Sequence, residues 1–364
     1  MPGVPYAEQL AKKRKDLSRL LRMDVPPLIP SPSETGFRSK VSFVFANGVM
    51  GHYALNSQRV IPIEECPVHH ERGNEIAFAL KSVFGRFAHS GGPGSIRALL
   101  RHIIIRTTQD GRQASAMLVV ARNDKALRAP VRKFLGSKEK PDGFFLNIHP
   151  TPGPYMVGDE TIKIEGRSHV KEVVNGVSYL VSPTAFFQTN VGAAEHLVKV
   201  VMQAVDEAKG SSLQGKPLRV LDLYCGSGLF SLPIAIAGAR VTAVEDNRQA
   251  IADAEANVRL NRIEPGRIRF IASRVEDAFA RLGTDPWDVV VLDPPRTGCP
   301  PRVLSALFEE MRPARVVYVS CNPDALAAEL PVILKTGYRV TRVQPVDMFP
   351  HTDHIETVMA FDRK

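Results

Sequence analysis

A chain of 364 residues is long enough for about two domains with separate cores. Its 44% hydrophobic and 23% charged residues, with no uninterrupted apolar run long enough to span a bilayer, read as a soluble globular protein and exclude membrane-spanning and disordered classes. The formal charge of +9 favours a polyanionic partner, and four cysteines at 66, 225, 299 and 321, with no CxxC pair and no metal-finger spacing, suggest neither a disulfide framework nor a metal site.

The opening stretch has no apolar signal core, so a cytoplasmic protein is expected. Within it, "PYAEQLAKKRKDLSRLL" predicts an amphipathic helix, with Leu10, Leu17, Leu20 and Leu21 on one side. Lys12, Lys13, Arg14, Lys15 and Arg19 fall elsewhere and read first as a solvated face, with a nucleic-acid contact as the alternative.

From about Phe37 to Gly176 the runs "KVSFVFANG", "RHIIIRTT", "ASAMLVVA", "FFLNIHP", "TIKIEG" and "VSYLVSP" alternate as strands do, and "GNEIAFALKSVFGRFAHS" predicts a helix. This segment reads as an α+β substrate or accessory module. Were its polyanionic partner an RNA, Arg38, Lys40, Arg97, Arg101 and Arg106 would meet phosphates and Phe37 and Phe43 would stack on unpaired bases; the plain reading of the charges is a solvated face.

From about Leu218 short apolar runs alternate with helical stretches, from "LRVLDLY" through "RVTAVE", "WDVVVLD" and "RVVYVSC", closing on "YRVTRVQPVD" and "ETVMAFD". Such alternation predicts a Rossmann-like, mostly parallel α/β sheet, and the helix-free closing pair predicts an antiparallel edge. The expected boundary puts residues 1–180 in the helix plus α+β module and 181–364 in the sheet domain.

Three strand ends carry chemistry. "VLDLYCGSGLFSLPIA" places Gly226 and Gly228 in the loop after the first strand, where the backbone can approach a ligand closely. Glu245 ends the second strand, in position for ribose hydroxyls, while Ser231 interrupts a dinucleotide fingerprint. A nucleoside cofactor without pyrophosphate, S-adenosylmethionine, fits better than NAD. In "VVVLDPPRTG" Asp293 ends the fourth strand, and Arg296 stands where amine methylases carry an aromatic residue, which argues against amine methylation.

"VVYVSCNPDAL" ends the fifth strand on Cys321. Taken alone this thiol reads as a small core hydrophobe. Beside the cofactor loops it reads as a nucleophile. A thiolate added to carbon 6 of a pyrimidine activates carbon 5 for methylation, and the carbon-5 proton must then be removed by a base. "DMFPHTDHIETVMAF" offers His351, His354 and Glu356 for that step.

The blocks "SPTAFFQTN", "LDLYCGSGLFSL", "VLDPPRTG", "VYVSCNP" and "DMFPHTDHIE" resemble the RNA 5-methyluridine methyltransferases, which include tRNA and 23S rRNA enzymes. They cover most of residues 182 to 358, with weaker likeness through "GFRSKVSFVF", "IEECPVHH" and "LRHIIIRT". The resemblance implies a class I methyltransferase fold, Cys321 as nucleophile and Glu356 as base. It also implies that Gln188, Tyr224, Glu245 and Asp293 contact S-adenosylmethionine, on a loop shaped by Gly226 and Gly228; Cys225 has no assigned role. The rRNA members carry an iron-sulfur cluster, but only the position of Cys66 among its ligands survives here, so no cluster is expected. The chain before Phe37 is also too short for the β-barrel that some relatives carry.

The expected function is 5-methyluridine formation in structured RNA, 23S rRNA being favoured over the tRNA T-loop, by a monomer with no membrane association. Enzymes forming 5-methylcytosine also use a cysteine adduct, but they carry a Pro-Cys pair in the fourth-strand loop, where this chain has Asp-Pro-Pro-Arg. A catalytically idle RNA-binding protein on the same fold is the alternative of another class, and the Cys321 and Glu356 pair speaks against it.

Overall fold

A computed structural model describes residues 3–46, 49–54, 57–87, 96–151, 156–208, 216–282 and 286–364. The chain divides into two compact units, a larger one of residues 1–34, 173–179 and 186–364, and a smaller one of 35–172 and 180–185. The first helix, α1 (Tyr6–Leu21), belongs to the larger unit and not to the α+β module, because it packs on that unit's last helix.

In the smaller unit the order is β1 (Lys40–Ala46), β2 (Val49–Tyr53), β3 (Val60–Pro62), α2 (Glu71–Phe87), α3 (Ile96–Leu99), β4 (Leu100–Thr107), β5 (Ala114–Val120), α4 (Arg128–Leu135), β6 (Gly143–Ile148) and β7 (Glu160–Gly166). The sheet runs β3-β2-β1-β4-β5-β6-β7 and is antiparallel except between β5 and β6, where α4 makes the crossover that a parallel pair requires. Phe43, Ile103, Ile105, Leu118 and Phe144 of the sheet pack with Ile76, Leu80, Phe84 and Phe134 of the helices.

That packing removes two residues from the expected RNA surface. Phe43 is core, and Arg106 is buried with a guanidinium N–H donating to Ala185 O at 2.9 Å. Lys40 is held down at about 8, first by burial and then by the charges of Arg106 and Arg38. Period-2 alternation marks which residues share a face, but it does not say which face a helix covers.

A ribbon of β8 (Val170–Val174) and β9 (Val177–Val181) turns at Asn175-Gly176, both at positive φ as a two-residue hairpin turn demands. The larger unit continues with α5 (Val191–Asp206), β10 (Arg219–Leu223), α6 (Ser231–Ile236), β11 (Arg240–Glu245), α7 (Arg248–Leu260), β12 (Ile268–Ala272), α8 (Val275–Leu282), β13 (Val289–Leu292) and α9 (Pro301–Ser305). It closes with β14 (Arg315–Ser320), α10 (Pro323–Lys335), β15 (Tyr338–Val346) and β16 (Glu356–Arg363). Its sheet order is β12-β11-β10-β13-β14-β16-β15, parallel through β14, with β16 antiparallel to both neighbours. The order reverses between β10 and β13, the switch point at which open α/β sheets bind ligands. No described helix is long and apolar enough to cross a membrane.

The solvated face expected for α1 is interrupted at Lys13, which is buried with Gln9, Leu17 and Leu21 while Leu20 is exposed. Its ammonium donates to Asp347 Oδ1 at 2.8 Å and to the carbonyls of Phe349 and His354, both at 3.1 Å. Both side chains are sealed from water, so removing one strands the other's charge, at a cost of about 3–5 kcal/mol. We expect Lys13→Met to lower unfolding stability in urea by that amount, and Lys13→Met with Asp347→Leu to recover most of it. A single variant as stable as the wild type would contradict a closed pair.

Candidate active site

The loop after β10 is held open by backbone conformation. Tyr224, Gly226 and Gly228 all have positive φ, and a Cβ on Gly228 would lie 2.2 Å from Leu232 Cδ1, so only glycine fits there. At the strand end Asp222 is fully buried and accepts the Ser231 hydroxyl, which ties β10 to the start of α6. Glu245, ending β11, accepts Gly226 N–H at 3.0 Å and Asn247 N–H at 2.9 Å, so one carboxylate fixes two loops. Asp293 follows β13 and donates its N–H to Leu223 O at 3.3 Å.

Three acidic groups therefore share the switch point. Burial, opposed by the Ser231 hydroxyl, raises Asp222 to about 7. Burial, then the charges of Asp222 and Glu245, raises Asp293 to about 8. Glu245 is raised mainly by burial. Among the described residues the Tyr224 hydroxyl, Ser227 Oγ and Asp222 Oδ1 are buried without hydrogen-bond partners. A loop with orphaned polar atoms and mutually repelling carboxyls suits a polar, cationic ligand, and S-adenosylmethionine, with its ammonium, sulfonium and ribose diol, has that chemistry. Gln188 is buried two residues before Asn190, the N-cap of α5, whose amide donates to Ser31 Oγ at 2.9 Å and Met348 O at 3.0 Å.

Cys321 lies between β14 and α10. Its neighbour Asn322 caps α10 by accepting Asp324 N–H at 3.1 Å and donates to Arg296 O at 2.8 Å, which locks the cysteine loop to the Asp293–Arg296 loop. The register Ser320↔Thr357 sets Cys321 and Glu356 next in line across β14 and β16. Burial, then Glu356 and Asp293, pushes the Cys321 thiol up to about 11, while Arg296 pulls it down. The Glu356 carboxyl is buried and lies well above its usual range, through burial and then Asp293, with Arg296 again opposing. The Cys321 thiol, the Glu356 and Asp293 carboxyls and the Arg296 guanidinium thus act on one another.

A cavity of about 830 Å³ opens onto Cys321, lined by Arg296, Asn322, His354 and Asp353, by Lys12, Asp16 and Arg19 of α1 and by Arg22 just after it. Lys12 pairs with Asp16 at 2.9 Å and Asp353 at 3.6 Å, and Arg19 with Asp16 at 3.5 Å. The second reading of the α1 bases, a nucleic-acid contact, gains a place here, though the charge run alone gives no sign of which side chains reach the cavity. Of the other candidates, His351 is engaged by Gln9, which lies 3.1 Å from its Nδ1 and accepts its N–H at 2.9 Å. His354 is exposed at the cavity wall. Cys225 and Cys299 are buried, and burial raises both thiols above the ordinary range. Cys66, in the smaller unit, is grouped with His52 and His69 and with no second thiol among the described residues, a donor set that does not fit a four-thiolate cluster.

Residues 159–364 match the family described as tRNA (Uracil-5-)-methyltransferase. An uncharacterised RNA methyltransferase of Gloeobacter violaceus is 32% identical over 99% of this chain and 79% of its own length. One of Geobacter sulfurreducens is 33% identical over 99% and 74%. The structure of Pyrococcus abyssi tRNA (uracil-54, C5)-methyltransferase in complex with S-adenosyl-L-homocysteine superposes with a TM-score of 0.81 at 26% identity, over 98% of this chain and 84% of that one. With a methyltransferase sheet, a switch-point loop suited to S-adenosylmethionine and a relative aligned along nearly its whole length, the chain belongs to the RNA (uracil-5-)-methyltransferase family.

Proposed function

We propose that the enzyme forms 5-methyluridine through a covalent bond between Cys321 Sγ and carbon 6 of the target uracil. The observation that carries this is Cys321 beside Arg296 at the wall of the cavity, with the buried Glu356 and Asp293 carboxyls close enough to act on the thiol. S-adenosylmethionine, when bound, supplies an electrophilic methyl group. Cys321 gives its proton to solvent water in the cavity onto which it opens, and Arg296 favours the thiolate that results. The thiolate adds to carbon 6, and the carbon 5–carbon 6 electron pair moves into the ring as an enolate. Carbon 5 takes the methyl group and then bears both methyl and hydrogen. Glu356 removes that hydrogen as a proton, the double bond re-forms, and Cys321 leaves as thiolate. The cofactor contacts are assigned to Gln188, Tyr224, Glu245 and Asp293, on the loop held open by Gly226 and Gly228.

For the RNA, the likeness of "DMFPHT", "SPTAFFQTN" and "GFRSK" to the rRNA members supports 23S rRNA. The activity named for the Pyrococcus abyssi protein supports tRNA as the second reading. Mass mapping of 5-methyluridine in both RNA fractions of a deletion strain separates them. We expect loss at one 23S rRNA uridine with tRNA unchanged, and loss confined to tRNA would move the substrate to the T-loop. Arg38 and Arg97 remain exposed in the smaller unit as phosphate contacts, so affinity for RNA should fall as salt rises.

A further inference from the structure

We propose that His52, Cys66 and His69 form a site for one zinc-like divalent transition metal ion in the smaller unit. One donor atom from each residue lies within 4.8 Å of the other two. Tetrahedral ligand atoms around zinc sit roughly 3.3–3.8 Å apart, so small side-chain rotations close the set.

The backbone fixes two of the three donors. Cys66 and His69 are the ends of one turn, closed by His69 N–H donating to Cys66 O at 3.1 Å, and Asn74 Nδ2 donates to the same carbonyl at 3.0 Å. The turn is held to the segment before β1 by Gly36 N–H to Pro67 O and Arg38 N–H to Val68 O, both at 2.8 Å, and by His70 N–H to Arg38 O at 3.1 Å. A Cys-x-x-His pair in a rigid turn has the close spacing of zinc ligand pairs. His52 comes from β2, so the third donor arrives from a separate element.

The His69 ring supplies a further observation. Its residue is 4% exposed, and its buried Nδ1 makes no hydrogen bond of good geometry among the described residues, the Asn74 side chain being the polar group that pulls on the ring. An orphaned buried nitrogen costs free energy that a bound cation returns. The rings are held in place: His52 stacks on Phe43 at 5.0 Å, and His69 meets His52 edge-on at 5.7 Å and Phe43 at 5.3 Å. Burial, then Arg38 and His52, keeps His69 down at about 4, against a weaker upward pull from Asn74. His52 is lowered by burial and Arg38. Both shifts favour the neutral imidazole that a metal ligand requires.

One sulfur and two imidazole nitrogens select zinc or cobalt over magnesium or calcium, which prefer oxygen. Binding releases one proton, from the Cys66 thiol, and the thiolate offsets the opposing charge of Arg38. Cysteine spacing alone hides such a site, because two of its donors are histidines and one lies on a different strand. The bound ion would staple the β2 end of the sheet to the turn that precedes α2.

The test is cobalt titration of full-length protein first stripped with a chelator. We expect one cobalt per chain with thiolate-to-cobalt charge-transfer absorption, displaced by zinc, and a melting temperature that zinc raises. Cys66→Ser should abolish both the absorption and the zinc shift while its circular dichroism stays that of the wild type. His52→Ala should weaken cobalt binding, which keeps the proposal testable if His69→Ala fails to fold. Cys321→Ser should retain the full signal. Wild-type protein without the sulfur-to-cobalt band, a Cys66→Ser protein that keeps it, or its loss in Cys321→Ser would each overturn the site.

Discussion

Replacing Cys321 by alanine should abolish methyl transfer and leave S-adenosylmethionine binding intact. Of the groups assigned to the cofactor, Tyr224, Glu245 and Asp293 stand at the ends of β10, β11 and β13 and Gln188 precedes α5. The loops after β10 and β11 are held by Glu245, Asp222 and Ser231, and the loop after β13 is tied to Asn322, none of which uses the thiol. What is lost is the bond that makes carbon 5 nucleophilic. Removing an essential nucleophile costs on the order of 10⁴-fold or more in turnover. Calorimetry for the cofactor and label transfer from methyl-labelled S-adenosylmethionine to RNA measure the two halves of this statement. In the wild type the thiol, raised to about 11, is mostly protonated at neutral pH, so the thiolate fraction grows about tenfold for each unit of pH below that value. Single-turnover adduct formation should therefore climb from neutral into mildly alkaline solution. A flat profile would mean that RNA binding has already lowered the thiol's pKa or that deprotonation does not limit the step.

Glu356→Gln should stall the reaction after methyl transfer. In the proposed mechanism the carboxylate is needed only for the carbon-5 proton, whose removal expels Cys321. Glutamine keeps the shape but has no basic oxygen, so turnover should drop about 10²–10⁴-fold while the methylated adduct accumulates. The expected sign is a heat-resistant, slower-migrating protein–RNA band that requires S-adenosylmethionine and disappears in the Cys321→Ala, Glu356→Gln double variant. Burial and Asp293 hold the Glu356 carboxyl well above its usual range, which brings a carboxyl group closer to the range of a working base near neutral pH. His354, with the more suitable ordinary pKa, is exposed at the cavity wall. An active Glu356→Gln enzyme with no trapped species, beside a His354→Ala enzyme that accumulates adduct, would transfer the role to the histidine.

The strand-end residues were legible because they obey local rules. Glycines at positive φ, a carboxylate at the end of β11 and a cysteine between β14 and its helix are each tied to a short stretch of chain. The alternation of apolar runs and helices likewise gave the sheet and its antiparallel edge. What escaped depends on contacts between residues distant in sequence. Lys13 sits in a run of four basic residues, and only the return of the chain at Asp347, Phe349 and His354 selects it for burial. The same return brings α1 into the larger unit, across the boundary expected near residue 180. Phe43 and Arg106 have the residue types of an RNA surface, but α2 covers the face of the sheet on which Phe43 lies, and Ala185 takes the Arg106 guanidinium. The grouping of His52 with Cys66 and His69 follows from a strand and a turn that no spacing rule connects.

The most direct test of the covalent mechanism uses an RNA substrate with 5-fluorouridine at the target site. Fluorine on carbon 5 cannot be removed as a proton is, so the wild-type enzyme should stop as a methylated covalent complex. Tandem mass spectrometry of the digested complex should find the modified nucleotide on the peptide containing Cys321, and on no other cysteine. A nucleotide attached to Cys225 or Cys299, or methylation of ordinary uridine by an enzyme that forms no covalent complex with the fluorinated RNA, would contradict the account.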